Sequence, residues 1–386
     1  MVSALGGTQE AALARLKARI ECLRPADFET ITRGSIGRVE GIEAHFLPAA
    51  LRHFDCRNNR LADMALAGDG FAGAVADAAS RYGAERIAVV LGTSTSGIQS
   101  CEHAYRHRDP ETGALPSFFD YANTHDLYSL ARFVRARLAL RGPALVVSTA
   151  CSSAARSFIE AAHFIAAGVC DAAIVGGTDT LCRMTLNGFA SLDLISATAC
   201  RPCDAARDGI SIGEAAAFLL LEREPPRSAR HGLSLLGYGA SSDAYHMSSP
   251  DPLGSGAVSA MRQALARAGL APDGIDYINL HGTGTAANDA MEDRAVMAVF
   301  GGATPCSSTK GWTGHTLGTS GAVEAIIATL CIRHGFIPGC LGVTSVDPGF
   351  GANVLVDNQY RPVRRVLSNS FGFGGSNASL VIGERA

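Results

Sequence analysis

The stretch Ala144–Gly168, ALVVSTACSSAARSFIEAAHFIAAG, carries the pattern on which the fold reading rests. Ala144–Val147 is a short apolar, β-branched run that reads as a buried strand. A turn of small and hydroxyl residues follows. Phe158, Ala161, Ile165 and Ala166 then recur at helical spacing until Gly168, so a helix is expected over Ala154–Gly168. The unit recurs along the chain: Ile87–Leu91 precedes GTSTSG, Ala172–Val175 precedes GGTDT, Tyr277–Leu280 precedes HGTGT, and Val366–Leu367 precedes SNSFGFGG. Strand, glycine-rich turn and alanine-rich helix in alternation predict an α/β protein with buried strands.

The chain also echoes itself. GEAAAFLLLER (213–223) aligns without gaps on GSNASLVIGER (375–385): Gly, Ala three residues on, an apolar strand, and a closing Glu-Arg. The second copy closes the chain, so the first is expected to close a first half. That divides the chain into 1–224 and 233–386, joined by a polar, proline-containing connection over 225–232.

Composition narrows the class. Of 386 residues, 47% are apolar and 18% charged, which excludes a disordered chain and leaves ample material for a core. A net charge of −3 gives no whole-protein case for nucleic-acid binding. The eleven cysteines are odd in number and scattered, pointing to reduced thiols in a cytoplasm and not to a disulfide scaffold. No basic, then apolar, leader opens the sequence, and the most apolar stretches (Phe164–Gly177 is one) are broken by Asp171 and glycines short of a membrane span.

Four segments put reactive side chains into turns: STACSSA (148–154), HGTGTAANDAMED (281–293), SSTKGWTGHTLG (307–318) and NSFGFGGSN (369–377). Cys151 follows a strand and opens a helix, where unpaired N–H groups and the dipole lower a thiol pKa; the other ten cysteines read as small buried hydrophobes. His281 and His315 sit in Gly/Thr turns, suited to acid–base or anion-stabilising work. The basic residues are otherwise Arg, with Lys only at Lys17 and Lys310. Lys310 either meets a need for an ammonium or reflects coding bias, and Glu292 could pair with it if the fold joins them. NSFGFGGSN lacks the P-loop Lys-Ser/Thr and the dinucleotide glycine spacing, and is better suited to presenting N–H groups to an oxyanion. CRPC (200–203) is a single CxxC without a second pair, so no catalytic metal is expected.

Together these segments resemble the β-ketoacyl-acyl carrier protein synthases of the class I/II (Cys-His-His) type, in the thiolase superfamily. TACSS, HGTGT, STKGWTGH and GFGGSN fall in family order, and DAYHMSSPDP (243–252) and RPCDAARDGISIGEAA (201–216) are similar to two further family stretches. STKGWTGHTLG is also similar to synthases of aryl-polyene-type pathways. The resemblance implies a duplicated thiolase-like α-β-α-β-α layered fold with two mixed central sheets. It departs from the family where the first strand is shortened or missing, where Cys203 replaces an aromatic residue, and at Trp312.

The resemblance further implies an acyltransferase running a decarboxylative Claisen condensation in fatty-acid or polyene/polyketide elongation. Cys151 would take an acyl group from an acyl-carrier-protein thioester. His281 and His315 would hold the malonyl thioester carbonyl as CO₂ leaves, and the enolate would attack the acyl-Cys. Lys310, paired with Glu292, would set the electrostatics. The Cys151 and Phe373 N–H groups would form the oxyanion hole. Thr283 and Thr285 would bind the phosphopantetheine arm. Phe373, Gly374, Asp243, His246 and Ser248 would also bind substrate, with Phe373 gating the acyl pocket as it moves with the Asp243–Ser248 loop. Arg57 and Arg60 would receive the carrier protein. No cofactor is implied, since phosphopantetheine arrives on the carrier protein. A homodimer is the default, with a heterodimer with a chain-length-factor-like subunit as the alternative. Two rival readings are a cysteine-dependent acyl hydrolase and a non-elongating partner subunit.

Overall fold

Two sheets repeat one strand order. The computed structural model describes residues 1–224 and 232–384; apart from Gly232, the connection expected over 225–232 lies outside them, as does Arg385 of the repeated segment. In the first sheet, β1 (Val2–Ser3), β2 (Ile87–Gly92), β3 (Ala144–Val147), β4 (Ala172–Asp179) and β5 (Ala215–Glu222) lie in the order β1-β5-β4-β2-β3. In the second, β6 (Ser234–Ser242), β7 (Tyr277–Asn279), β8 (Pro305–Ser307), β9 (Asn353–Val354), β10 (Arg365–Gly372) and β11 (Ser376–Gly383) lie in the order β6-β11-β10-β7-β8-β9. Strands β4, β2 and β3 are parallel, as are β10, β7 and β8, and in each sheet the last long strand turns back antiparallel. The two copies of the repeated segment are these returning strands, β5 and β11. The duplicated, mixed-sheet arrangement is therefore what the chain adopts. The first strand is present but has two residues, against nine in its counterpart β6.

The layers follow from which strand faces are apolar. Every residue of β2 and β4 is buried, so both faces of that sheet are covered. One side carries α1 (Arg57–Ala67) and α2 (Ser129–Arg137). Between the sheets lie α3 (Ser153–Ala166) and α6 (Ser320–His334), whose apolar residues share one core with both sheets. On the far side, α4 (Ser255–Ala268) and α5 (Ala286–Phe300) cover the second sheet. Helix α6 is buried on nearly every face, as a central helix must be. Helix α3 begins one residue before the expected start and ends two before the expected end. A Cβ at Gly92 would lie 2.4 Å from the Ala154 nitrogen, so glycine there lets α3 approach β2 closely.

Candidate active site

The turns that end β3, β7, β8 and β10 converge on one cavity of about 340 Å³, lined by Cys151, His281, Thr283, Thr285, His315 and Phe373 among others. Cys151 stands at the sharp corner between β3 and α3. The preceding Ala150 is held at φ +50°, a left-handed conformation costly for a residue with a Cβ. This aims the Cys151 sulfur back into the cavity. His315 Nε2 lies 3.0 Å from Cys151 Sγ, and ligand atoms of Cys151, His281 and His315 all fall within 4.8 Å of one another. The two imidazoles meet edge to face, 5.3 Å between centroids.

The electrostatics differ from the helix-terminus expectation. Burial pushes the Cys151 thiol up to about 11, against the Lys310 charge and the N–H groups of Phe373 and Cys151 itself, which act the other way. The helix end does not overcome desolvation here, so the resting group is a thiol. The same two N–H groups are those expected to form the oxyanion hole. Burial, and then the Lys310 charge, hold His281 and His315 well below the usual histidine range, with His315 adding to the effect on His281; both rings are neutral near pH 7.

Lys310 sits behind His281. Its ammonium donates to the His281 carbonyl at 2.6 Å and approaches His281 Nδ1 at 3.4 Å. An ammonium only donates, so Nδ1 accepts and the ring proton rests on Nε2. The expected Lys310–Glu292 pair is not formed. The carboxylate partner of Lys310 is Glu324 of α6, with side chains 1% and 3% exposed. Glu292 instead accepts from the N–H groups of His281 and Gly282, at 2.8 and 2.7 Å, and from Asn369 Nδ2. It fixes the backbone of the HGTGT turn. Burial raises both carboxyls to about 7, Glu292 against its three donors and Glu324 against Lys310.

The remaining expected residues divide. Thr283 and Thr285 line the cavity with hydroxyls 3.0 Å apart, and Thr285 also caps α5. Phe373 packs against Phe189 with ring centroids 5.6 Å apart and the rings tilted by 42°. Gly374, at φ +78°, donates its N–H to the Met247 carbonyl, and the Asp243 N–H donates to Gly375, so the two gating loops are joined backbone to backbone. Asp243 and Ser248 line the cavity. His246 does not: it is exposed, and its Nδ1 accepts from the Ser248 N–H.

Of the two arginines expected to receive the carrier protein, Arg57 is withdrawn from the surface and Arg60 is not. Arg57 is 6% exposed and spends its guanidinium on Glu214, at 3.2 and 2.7 Å, and on Glu43. Arg60 is bidentate on Asp55 at 2.6 and 2.7 Å. Arg57 therefore offers no free cation to a partner, whereas the Arg60 side chain, 25% exposed, keeps part of its guanidinium at the surface.

Glu324 carries no motif, although it is the only carboxylate between Asp293 and Asp347 and lies amid the apolar run of a helix, a signal that could have marked it. Asp289 was missed too; it accepts the N–H groups of Thr283, Gly284 and Cys203, tying the HGTGT turn to the CRPC segment.

Residues 60–226 match the family described as Beta-ketoacyl synthase, N-terminal domain, and residues 233–344 that described as Beta-ketoacyl synthase, C-terminal domain. The chain is 39% identical over 312 residues to 3-oxoacyl-(acyl-carrier-protein) synthase 2 of Rhizobium meliloti (strain 1021), across 76% of this chain and 73% of that protein. It is 41% identical over 266 residues to the mitochondrial 3-oxoacyl-(acyl-carrier-protein) synthase of Arabidopsis thaliana, across 64% of this chain but only 58% of the plant protein. A chain of the complex of the ketosynthase ApeO with its chain length factor ApeC, from Xenorhabdus doucetiae, superposes with a TM-score of 0.89 at 40% identity, covering 100% of this chain and 96% of that one.

Proposed function

Because the chain belongs to the β-ketoacyl synthase family, we propose that it condenses an acyl thioester with malonyl-acyl carrier protein, releasing CO₂ and a β-ketoacyl thioester two carbons longer. The observation that carries this reading is the meeting of Cys151, His281 and His315 within 4.8 Å on one cavity. In the first half-reaction the Cys151 thiol gives its proton to His315 Nε2 and attacks the acyl carbonyl. The oxyanion forms against the N–H groups of Cys151 and Phe373, a contact worth about 3–4 kcal/mol per donor. The departing phosphopantetheine thiolate takes the proton back. In the second, the Nε2–H groups of His281 and His315 hold the malonyl thioester oxygen while the C–CO₂ bond breaks. The resulting enolate attacks acyl-Cys151 and expels its sulfur as a thiolate, which takes up one proton from solvent. Lys310, held by Glu324, keeps His281 in the donor tautomer. Thr283 and Thr285 bind the arm; Phe373 and Gly374 move with Asp243 and Ser248.

In this reading the chain works as two halves, 1–224 and 233–386, and pairs with a second subunit. Strand β3 is apolar, only half-buried, and forms the open edge of the first sheet, which supports pairing of edges across a two-fold axis. A homodimer is the default. The ketosynthase–chain length factor complex it resembles favours a heterodimer as the second reading. Eleven free thiols support a reducing cytoplasm; among the described residues no helix is long and apolar enough to cross a membrane.

Intact-mass spectrometry of the protein, incubated with a panel of acyl-carrier proteins, tests the reading. An acyl adduct on Cys151 that is extended by two carbons on adding malonyl-carrier protein is the expected result. Free acid without a new carbon–carbon bond would make the protein a hydrolase, and absence of any adduct would make it a non-elongating subunit.

A further inference from the structure

His315 has two tasks that need opposite ring states. To take the Cys151 proton it must show a bare Nε2, with its own proton on Nδ1. To hold the malonyl oxygen it must carry the proton on Nε2 and leave Nδ1 bare. Whatever contacts Nδ1 must therefore accept from it in one state and donate to it in the other. A backbone N–H or an ammonium could only donate, as Lys310 does to His281, and a carbonyl or carboxylate could only accept.

The group at Nδ1 is a hydroxyl. Ser320 Oγ lies 3.0 Å from His315 Nδ1 and 3.2 Å from Thr316 Oγ1, and both residues are 1% exposed. The geometry points to Ser320 as a positioning residue, a rotating hydroxyl, backed by Thr316, that lets one histidine serve both half-reactions. With the Ser320 O–H turned toward Thr316, its oxygen accepts from Nδ1–H, and Nε2 is free to receive the thiol proton. As the Cys151 S–H bond breaks, the Nε2–H bond forms, and the imidazolium keeps its Nδ1–H bond to Ser320 beside the thiolate. Between the half-reactions Nε2 takes up one proton from solvent and the Nδ1 proton is returned to solvent, so the ring changes tautomer with no net change in protons. The Ser320 O–H, then turned toward the ring, donates to the bare Nδ1, the Thr316 hydroxyl donates to Ser320, and Nε2–H points at the substrate. No atom of the three is left unpaired in either state. His281, whose Nδ1 faces an ammonium, has only the donor state. The inference rests on the reading that Cys151 is acylated and that His315 serves it.

The other titratable or charged groups around His315 are Cys151 at Nε2, His281 edge to face, Lys310 with its partner Glu324, and Asp179, which acts on Cys151 from the end of β4. None of them hydrogen-bonds Nδ1, so removal of the Ser320 hydroxyl should be felt through that nitrogen.

The test is the pH–rate profile of Cys151 alkylation by iodoacetamide, read by peptide mass, in the unaltered protein, Ser320→Ala and Thr316→Val. Without the Ser320 acceptor the imidazolium–thiolate pair is harder to form. The profile should move upward by about one pH unit, a fall of about tenfold at any pH on its rising limb. Thr316→Val, nearly isosteric, keeps Ser320 but removes its outer partner, and should move the profile in the same direction by less. A purely structural role would lower stability without displacing the profile. Profiles for the soluble variants that overlay a normally reactive unaltered protein overturn the Ser320 assignment alone, and Thr316→Val carries the decision if Ser320→Ala does not fold. An inert Cys151 in the unaltered protein overturns the catalytic reading and this one with it.

Discussion

The turn after β3 and the turn after β8 occupy equivalent places in the two halves, yet one presents Cys151 to the cavity and the other buries Lys310 behind it. The difference is one of charge. A thiol is neutral when desolvated and can face an apolar cavity without a counter-ion. An ammonium cannot, and so Lys310 is matched by Glu324 and the His281 carbonyl. The other turns diverge in the same way. After β2, the hydroxyls of Thr93, Ser94 and Thr95 and the N–H groups of Ser94 and Thr95 all converge on the buried Asp179 at the end of β4. After β7 and β10, by contrast, the chain presents His281 and Phe373 to the cavity. In the proposed reading one half thus supplies the nucleophile on a closed framework, and the other supplies most of the groups that meet developing charge.

That division can be broken by substitution. Cys151→Ala should remove acyl transfer altogether, a fall on the order of 10³-fold or more, because no other group forms the acyl-enzyme; an adduct at another cysteine by intact mass would refute the assignment. The two histidines should separate next. His281→Ala should slow malonyl decarboxylation by about 10²–10³-fold, while leaving Cys151 acylation within about threefold. His315→Ala should slow both steps, because its Nε2 touches the sulfur. Identical effects of the two in single-turnover assays would mean that they do not divide the work as their contacts do.

Each half also contains a buried ion pair, Arg57–Glu214 in the first and Lys310–Glu324 in the second. Breaking either leaves an unpaired buried charge and should cost about 3–5 kcal/mol in denaturant unfolding. Only Glu324→Ala should also lower kcat, since Lys310 touches His281; loss of kcat in folded Arg57→Ala would erase the contrast.

The pH dependence of the nucleophile sharpens it further. Because burial raises the Cys151 pKa to about 11, the thiolate fraction grows as pH rises toward that value. Alkylation should therefore climb about tenfold per pH unit between about pH 7 and 9. A plateau by neutral pH would show that the helix terminus outweighs desolvation after all. The smallest effect is expected at Arg60→Ala. Its pair with Asp55 is partly exposed, so stability should change by no more than about 1 kcal/mol, and the KM for carrier-bound substrate by less than about twofold.

Much of this molecule was legible in its residues. Hydrophobic period and turn chemistry are local properties, so β3, α3 and the strands before GTSTSG, GGTDT and HGTGT could be read within a few residues of their bounds, and the repeat at 213–223 and 375–385 marked the two returning strands. Cys151, His281, His315 and Lys310 stood out because each reactive side chain lies in a glycine- or hydroxyl-rich turn. Tertiary structure alone decided the partners and the electrostatics. Glu324 and not Glu292 reaches Lys310, because α6 passes between the sheets while Glu292 turns to the backbone of its own loop. Arg57 is drawn inward by Glu214, a residue 157 positions away in the chain. The Cys151 thiol is raised, not lowered, because desolvation sums over everything packed around an atom, and a linear sequence does not contain that sum.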